Sequence, residues 1–280
     1  MPPPGFPSDF DQVFSVDAEP GNPGFTGLNV LRGLVEGIDD FIAEREPRWR
    51  RFRAGPAMLA CAPWVDDEEL LARISRMASC IVMSKRPRTT RELAKLARLR
   101  DVNESAAGFR EDALRALGGM APKVGGEPLV VGPGTPLGEG VIDAIRTLGY
   151  RKGNKPVPLV HAKLALLGHL WWSDEGHLGR AEDVFGFRPL RLWVSSANFT
   201  RSSRRNIEFG YWTEDPALVS ATKRFLERLI SASEELDSAS DTPDPEFAPF
   251  EFDDEAMAEY VAEMMGDEEM DEEEREDDLS

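Results

Sequence analysis

Apolar residues along the 280-residue chain recur at two spacings, one helical and one extended, and their order predicts an α/β domain. Leu31, Leu34, Val35, Ile38 and Phe41–Ile42 fall at helical intervals, so 28–44 reads as an amphipathic helix packed on the domain. Ala57–Ala62 and Ser79–Ser84 are buried runs of strand length. Between them a helix is expected to start after Asp66 as cap, with acids in its first turn, and to end near Met77. That order predicts a right-handed crossover and a parallel strand pair. Thr89 or Thr90 opens a helix to about Arg100, and a second helical stretch covers Ala106–Leu117. Leu129–Val131 reads as a short strand, Val141–Leu148 as a helix, and Pro216–Ile230 as an amphipathic helix that closes the domain. Val157–Leu167, Leu190–Val194 and Ile207–Trp212 read as three more strands. The expected fold is a mixed, mostly parallel sheet flanked by helices, a single domain over 28–235 after a flexible segment 1–27.

Three polar signatures sit on the last three strands. His161-Ala162-Lys163 lies in the first, Ser195-Ser196-Ala197-Asn198 ends the second, and Asn206-Ile207-Glu208 opens the third. Side chains in a strand alternate between faces, so His161 and Lys163 are expected to project together, as are Ser196 with Asn198 and Asn206 with Glu208. Three neighbouring strands would then pool an imidazole, an ammonium, a hydroxyl, two amides and a carboxylate. Such a set handles an anion.

The succession H-x-K, S-S-A-N-F-T and N-x-E resembles the motif of the phospholipase D superfamily, whose half-site is written H-x-K-x4-D followed by G-S-x-N. His161, Lys163, Ser196, Asn198 and Glu208 fall on motif positions. Gly168 stands where the family has aspartate, and Ser195 where it has glycine. The 26 residues between them imply an added hairpin or lid. The resemblance implies a phospholipase D-like sandwich that hydrolyses phosphodiesters with neither metal nor other cofactor. In that scheme His161 attacks phosphorus to give a phosphohistidine. Lys163, Asn198 and Ser196 hold the non-bridging oxygens, and Glu208 fixes an imidazole tautomer by accepting a ring N–H. The missing aspartate points to the diverged nuclease or phosphodiesterase branches rather than to a phospholipase proper.

The leaving oxygen needs an acid, and a second, protonated imidazole is the expected one. His169 and His177 lie in the link, and neither has a lysine two residues on. The second imidazole is therefore expected from His161 of another copy in a two-fold homodimer, with a heterologous partner as the alternative. His161, His169 and His177 recur every eight residues. They lack a nearby thiolate and the loop glycines give no preformed ligand geometry, so no metal site is read there. Ser195 and Ser196 lack the G-x-S-x-G turn of an acyl-transfer nucleophile.

Charge sharpens the choice of substrate. The chain carries −18 overall, but residues 233–280 hold 22 acids against Arg275, which leaves +3 for everything before them. A basic body with an acidic tail favours a polyanion. Lys152 and Lys155 in one basic loop, and Arg201, Arg204 and Arg205 in another, are candidates for contacts to a nucleic-acid backbone. The stretch Arg48-Trp49-Arg50-Arg51-Phe52-Arg53 reads as a solvated helix end with Trp49 buried, in preference to a phosphate patch. Trp171, Trp172, Phe185 and Phe187 read as a small satellite core; were they exposed, they could stack on bases or lie on a membrane lipid.

The remaining expectations concern surroundings. Met1–Pro23 carries prolines and Asp9, Asp11 and Asp17 where a signal peptide has a basic region and an apolar core, and no apolar run approaches a membrane span. Cys61 and Cys80 read as reduced core thiols, so the cytoplasm is the expected location. Ser231–Pro249 reads as a polar linker, and Asp253–Met265 as a helix whose Met257, Tyr260, Val261 and Met264 could dock a protein partner. Gly266–Ser280 reads as a disordered acidic run able to recruit a partner or to lie over the basic mouth. The functional expectation is a metal-independent phosphodiesterase, a nuclease with DNA binding or RNA binding both open. A phospholipase D-type lipid hydrolase is the second reading, and a catalytically silent subunit of a nucleic-acid-processing or phage-defence complex is the third.

Overall fold

The computed structural model describes residues 12–15, 22–43, 55–86, 89–105, 109, 113–117, 120–123, 130–133, 141–152, 155–173, 184–236, 242–249 and 251–277. In chain order the elements are β1 (Gln12–Ser15), β2 (Pro23–Leu28), α1 (Leu31–Ala43), β3 (Gly55–Ala62), α2 (Glu68–Ile74), β4 (Ala78–Ser84), α3 (Thr90–Ser105), β5 (Met120–Pro122), β6 (Val130–Val131), β7 (Ile145–Leu148), β8 (Tyr150–Lys152), β9 (Lys155–Val157), β10 (Leu164–Ser173), β11 (Val184–Ser195), β12 (Ile207–Thr213), α4 (Pro216–Ser231), β13 (Glu234–Glu235), β14 (Phe247–Pro249), β15 (Glu251–Phe252) and α5 (Asp254–Asp277).

Nine strands form one sheet in the order β1-β2-β12-β11-β10-β3-β4-β7-β13. Only β3–β4 and β4–β7 are parallel, and the other six neighbouring pairs are antiparallel. The sheet is mixed as expected but mostly antiparallel, which corrects the mostly parallel reading. The connections explain why. β10 and β11 are arms of one hairpin, and β11 returns to β12 through a single 3-10 turn at Arg201–Arg205. Links that short join antiparallel neighbours, whereas the helical crossover through α2 makes β3 and β4 parallel.

Strand alternation divides the core between the two faces of the sheet. Met58, Ala60, Ile81, Met83, Ala165 and Trp193 pack with α1, α2 and α3; Leu59, Cys61, Cys80, Val82, Leu166 and Leu192 pack with α4 and with Phe109 and Leu114. Helix α1 lies close to the sheet because Gly33 and Gly37 share its inner face. A Cβ at Gly37 would meet the Trp212 ring at 2.4 Å, and the Trp212 indole donates to the Gly33 carbonyl at 3.0 Å.

Several expectations shift. Helix α2 is capped by Asp67 rather than Asp66, its carboxylate accepting from Leu70 N at 2.9 Å. Thr89 and Glu92 form a reciprocal box at the start of α3, Thr89 N donating to Glu92 and Glu92 N to the Thr89 hydroxyl. The segment Val141–Leu148 holds strand β7, not a helix. Its positions inside the sheet bury Ile145, Arg146 and Thr147, and that surrounding outweighs local spacing. Of the helix expected over Ala106–Leu117, the described residues 115–117 form a turn. His169 lies in β10 rather than in a loop, stacked on Phe41 at 4.9 Å.

The stretch read as a polar linker, Ser231–Pro249, instead joins the domain. β13 pairs with β7, β14 with β5, and Phe247 and Ala248 are buried. Lys85 and Glu234 form an ion pair at 2.7 Å, each side chain only 4% exposed, and buried Arg146 donates to Ser233 and Glu246. Helix α5 continues to Asp277, past the Met265 end expected. Met257, Tyr260, Val261 and Met264 are exposed on it. No helix is long and apolar enough to cross a membrane among the described residues. Cys61 and Cys80 are buried free thiols, as expected. The Arg48–Arg53 stretch and His177 lie outside the described residues.

Candidate active site

β10 begins at Leu164, β11 ends at Ser195 and β12 begins at Ile207, and these three strands are neighbours running antiparallel. Their ends therefore meet at one edge of the sheet, which gathers the three polar signatures. His161 to Lys163 precede β10 instead of lying within it, so the alternation expected of a strand does not apply to them. They are brought together all the same. Lys163 Nζ donates to the His161 carbonyl at 2.7 Å and lies 3.1 and 3.2 Å from the two ring nitrogens. The imidazole is exposed while Lys163 is only 7% exposed. Burial holds the Lys163 ammonium below its ordinary pKa, and the negative charge of Glu208 pulls it back up.

The second and third signatures are joined directly. The Ser196 hydroxyl donates to Glu208 and accepts from Phe209 N at 2.9 Å, and Ser196 N donates to Phe209 O at 2.8 Å. Asn206 donates to the other Glu208 oxygen at 3.4 Å. Ser195 N donates to Lys163 O at 3.1 Å, which ties this pair to the first signature. The Ser195 side chain bridges Phe209 O and Ala197 N. The hydroxyl that replaces the motif glycine is thus bound into the turn. Asn198 is partly buried and its side-chain oxygen has no hydrogen-bond partner among the described residues.

Gly168 explains the missing aspartate. The β10–β11 register shifts between Leu167 and Gly168, and a Cβ at Gly168 would stand 2.2 Å from the Arg188 carbonyl oxygen and 2.7 Å from the Phe187 ring. No side chain fits there. The long link does form a hairpin, with pairing out to Ser173 and Val184, and Phe187 is buried as a core residue.

The basic candidates divide. Arg204 is engaged by the fold: it grips Asp67 with two hydrogen bonds of 2.5 and 2.8 Å, pairs with Glu69 at 3.0 Å and reaches Asn29 at 3.2 Å. Burial pushes the Asp67 carboxyl up, but Arg204 and the α2 N–H groups outweigh it and hold it below the ordinary range. Arg201 and Arg205 are exposed. Lys152 and Lys155 lie on the β8–β9 hairpin, and their side chains fall outside the described ones. Sequence spacing overlooked the wall of the site. Gln12, Thr26, Gly27, Ile207 and Phe209 line an open cleft with Ser196 and Glu208, and only the pairing of β1, β2 and β12 reveals it. Asp143, Glu235 and Glu246 also converge, but around the buried Arg146 guanidinium, which supplies their positive charge.

No family model matches the chain, and no curated protein matches it. Among solved structures it is similar to a phospholipase D family member, Nuc from Salmonella typhimurium, and to NucT from Helicobacter pylori. Each is 10% identical, with 76% of this chain and 97% of the other covered and a TM-score of 0.41.

Proposed function

We propose that the protein is a metal-independent phosphodiesterase, a nuclease that works through a phosphohistidine. The observation that carries this reading is the buried Lys163 ammonium held against the exposed His161 imidazole, beside the Ser196–Glu208 pair. A buried ammonium is costly unless it has work to do, and next to a nucleophilic ring it can neutralise the oxygens of an incoming phosphate. His161 attacks phosphorus, an N–P bond forms, and the P–O bond to the leaving group breaks. The leaving oxygen takes a proton from a second imidazolium. Water, losing a proton to the now neutral second imidazole, then attacks the phosphohistidine; the N–P bond breaks, a phosphomonoester leaves and both rings are restored. Asn198, by its amide N–H, and Lys163 hold the non-bridging oxygens, and Arg201 and Arg205 contact flanking phosphates; Lys152 and Lys155 remain candidates for the same role. Arg204 serves the fold instead. The second imidazole is His161 of another copy in a homodimer, and a heterologous partner is the other source.

The test is cleavage of labelled DNA, RNA and a phosphatidylcholine in excess EDTA by the native chain and by His161→Ala. Nucleic-acid cleavage that survives EDTA and disappears in the variant is the expected result. Cleavage of lipid alone would replace the substrate, activity abolished by EDTA would remove the histidine scheme, and a folded protein inactive on every substrate would point to the silent subunit.

A further inference from the structure

The sheet face beside the candidate site is aromatic and open. In β1, β2 and β12, Phe14 pairs with Gly24 and Gly24 with Tyr211, while Gln12 pairs with Thr26 and Thr26 with Phe209. Paired residues share a face, so these form two rows across three strands. The alternate residues, Phe25 and Trp212, point to the α1 side and pack in its core, which sends the rows to the opposite side. The rings touch one another. Phe14 and Phe209 are stacked at 5.8 Å, and Phe209 meets Tyr211 at 5.7 Å. Glycine at position 24 lets the Phe14 ring lie flat on the sheet, since a Cβ there would meet it at 2.3 Å. Phe209 remains 42% exposed and Ile207 49%.

Phe209 itself lines the cleft that holds Ser196 and Glu208, and its backbone N–H donates to the Ser196 hydroxyl. We infer that Phe209, supported by Phe14 and Tyr211, is a stacking platform for an unpaired base, and that the substrate is single-stranded nucleic acid. The inference rests on the phosphodiesterase reading and adds the strand state. Duplex bases rise about 3.4 Å apart with both faces covered by their neighbours. Only a strand with unstacked bases can lay one on Phe209, and aromatic faces accept any base, so the platform confers strand preference without sequence preference. Phe209 lines the same cleft as Ser196 and Glu208, so a base held there lies beside the strand ends that carry His161 and Lys163.

Binding is measured by anisotropy with labelled oligothymidylate and with a duplex, on full-length chains carrying His161→Ala so that cleavage cannot interfere. The expected result is preference for the single strand, a loss of about 5- to 150-fold in Phe209→Ala, a similar loss in Phe209→Leu, and retention in Phe209→Trp. Half exposure makes these substitutions tolerable to the fold, and circular dichroism verifies each. Equal affinity in Phe209→Ala, or full binding by Phe209→Leu, overturns the platform. So does a change of oligomeric state that accompanies the loss, because the face would then join copies of the chain. Cleavage by the chain with His161 intact is scored separately. If that chain cuts nothing, the catalytic reading fails by its own assay, whereas cleavage indifferent to Phe209 sinks this inference alone.

Discussion

Replacing Lys163 by methionine keeps the buried stem and removes the charge, which separates catalytic from structural roles at one position. Lys163 Nζ is 3.1 Å from His161 Nδ1, so a phosphorus in attack range of the ring brings its oxygens within about 4 Å of the ammonium. At that separation and an effective dielectric constant of about 20, a unit charge pair is worth about 4 kcal/mol, and deleting one preorganised donor typically costs about 10²- to 10³-fold in kcat. The expected result with bis(4-nitrophenyl) phosphate is a kcat lower by about 10²- to 10³-fold and a far smaller change in KM. Stability should behave in the opposite way. Burial lowers the Lys163 pKa from its ordinary 10.5, so between the folded value and 10.5 the unfolded chain binds more protons and stability rises with pH. The buried charge thus costs most near neutrality. Lys163→Met should be at least as stable as the native chain there, with the gap narrowing as pH approaches 10.5. Urea midpoints at neutral and alkaline pH measure this. Activity within about threefold of native would refute the catalytic role, and joint loss of activity and stability would make Lys163 a structural residue.

Lys85→Met strands Glu234 as an unpaired buried carboxylate and should cost about 3–5 kcal/mol, or roughly 6–20 °C in Tm, while Lys85→Met with Glu234→Leu recovers most of it; a single variant as stable as native refutes the pair's role. The Asp67 carboxyl titrates low, so the stability that Arg204 adds is complete above the ordinary 3.8 and is lost as pH falls through the lower folded value. Melting curves of Arg204→Ala and the native chain should therefore converge in acid, and a constant gap would contradict the assignment. Burial pushes the Cys61 and Cys80 thiols up to about 12, so neither should react with a disulfide reagent in the folded protein and both should react once it is denatured. Gly168→Asp, which restores the motif aspartate, should lower stability by more than about 3 kcal/mol and raise no activity, because its Cβ would collide with the Arg188 carbonyl.

The sequence was readable where local spacing and tertiary setting agree. Helix α1, the β3-α2-β4 crossover and α4 lie within a few residues of their expected limits, each with a one-sided or fully buried apolar pattern. It misled where a polar residue is buried by a distant partner. Arg146 in β7 and Glu234 in β13 look like surface charges, yet they meet Ser233, Glu246 and Lys85 from remote segments. Local pattern alone therefore reads Val141–Leu148 as a helix and Ser231–Pro249 as a linker. The three signatures announce side chains that meet at the strand ends, but nothing in the sequence announces the aromatic wall beside them. Phe14, Gly24 and Tyr211 share a row only because β1, β2 and β12 are neighbours, and nothing in their spacing announces it.

The polarity of the sheet also decides where the site lies. In a parallel sheet with helical crossovers, ligands gather at the carboxyl ends of strands. Here β10 and β12 contribute their beginnings and β11 its end, and the antiparallel run brings those three points to one edge. The connections then divide the labour. Lys163 is anchored by burial and by the bond from Ser195 to its carbonyl, so its charge is fixed before any ligand arrives. His161, ahead of the strand, is left exposed. Glu208 is held by Ser196 and Asn206 near enough to act on the Lys163 charge, so a carboxylate on β12 faces the site while position 168 is closed to one. Glycine at 168 is therefore a packing requirement of the β10–β11 hairpin, and the carboxylate that acts on the Lys163 charge stands on β12.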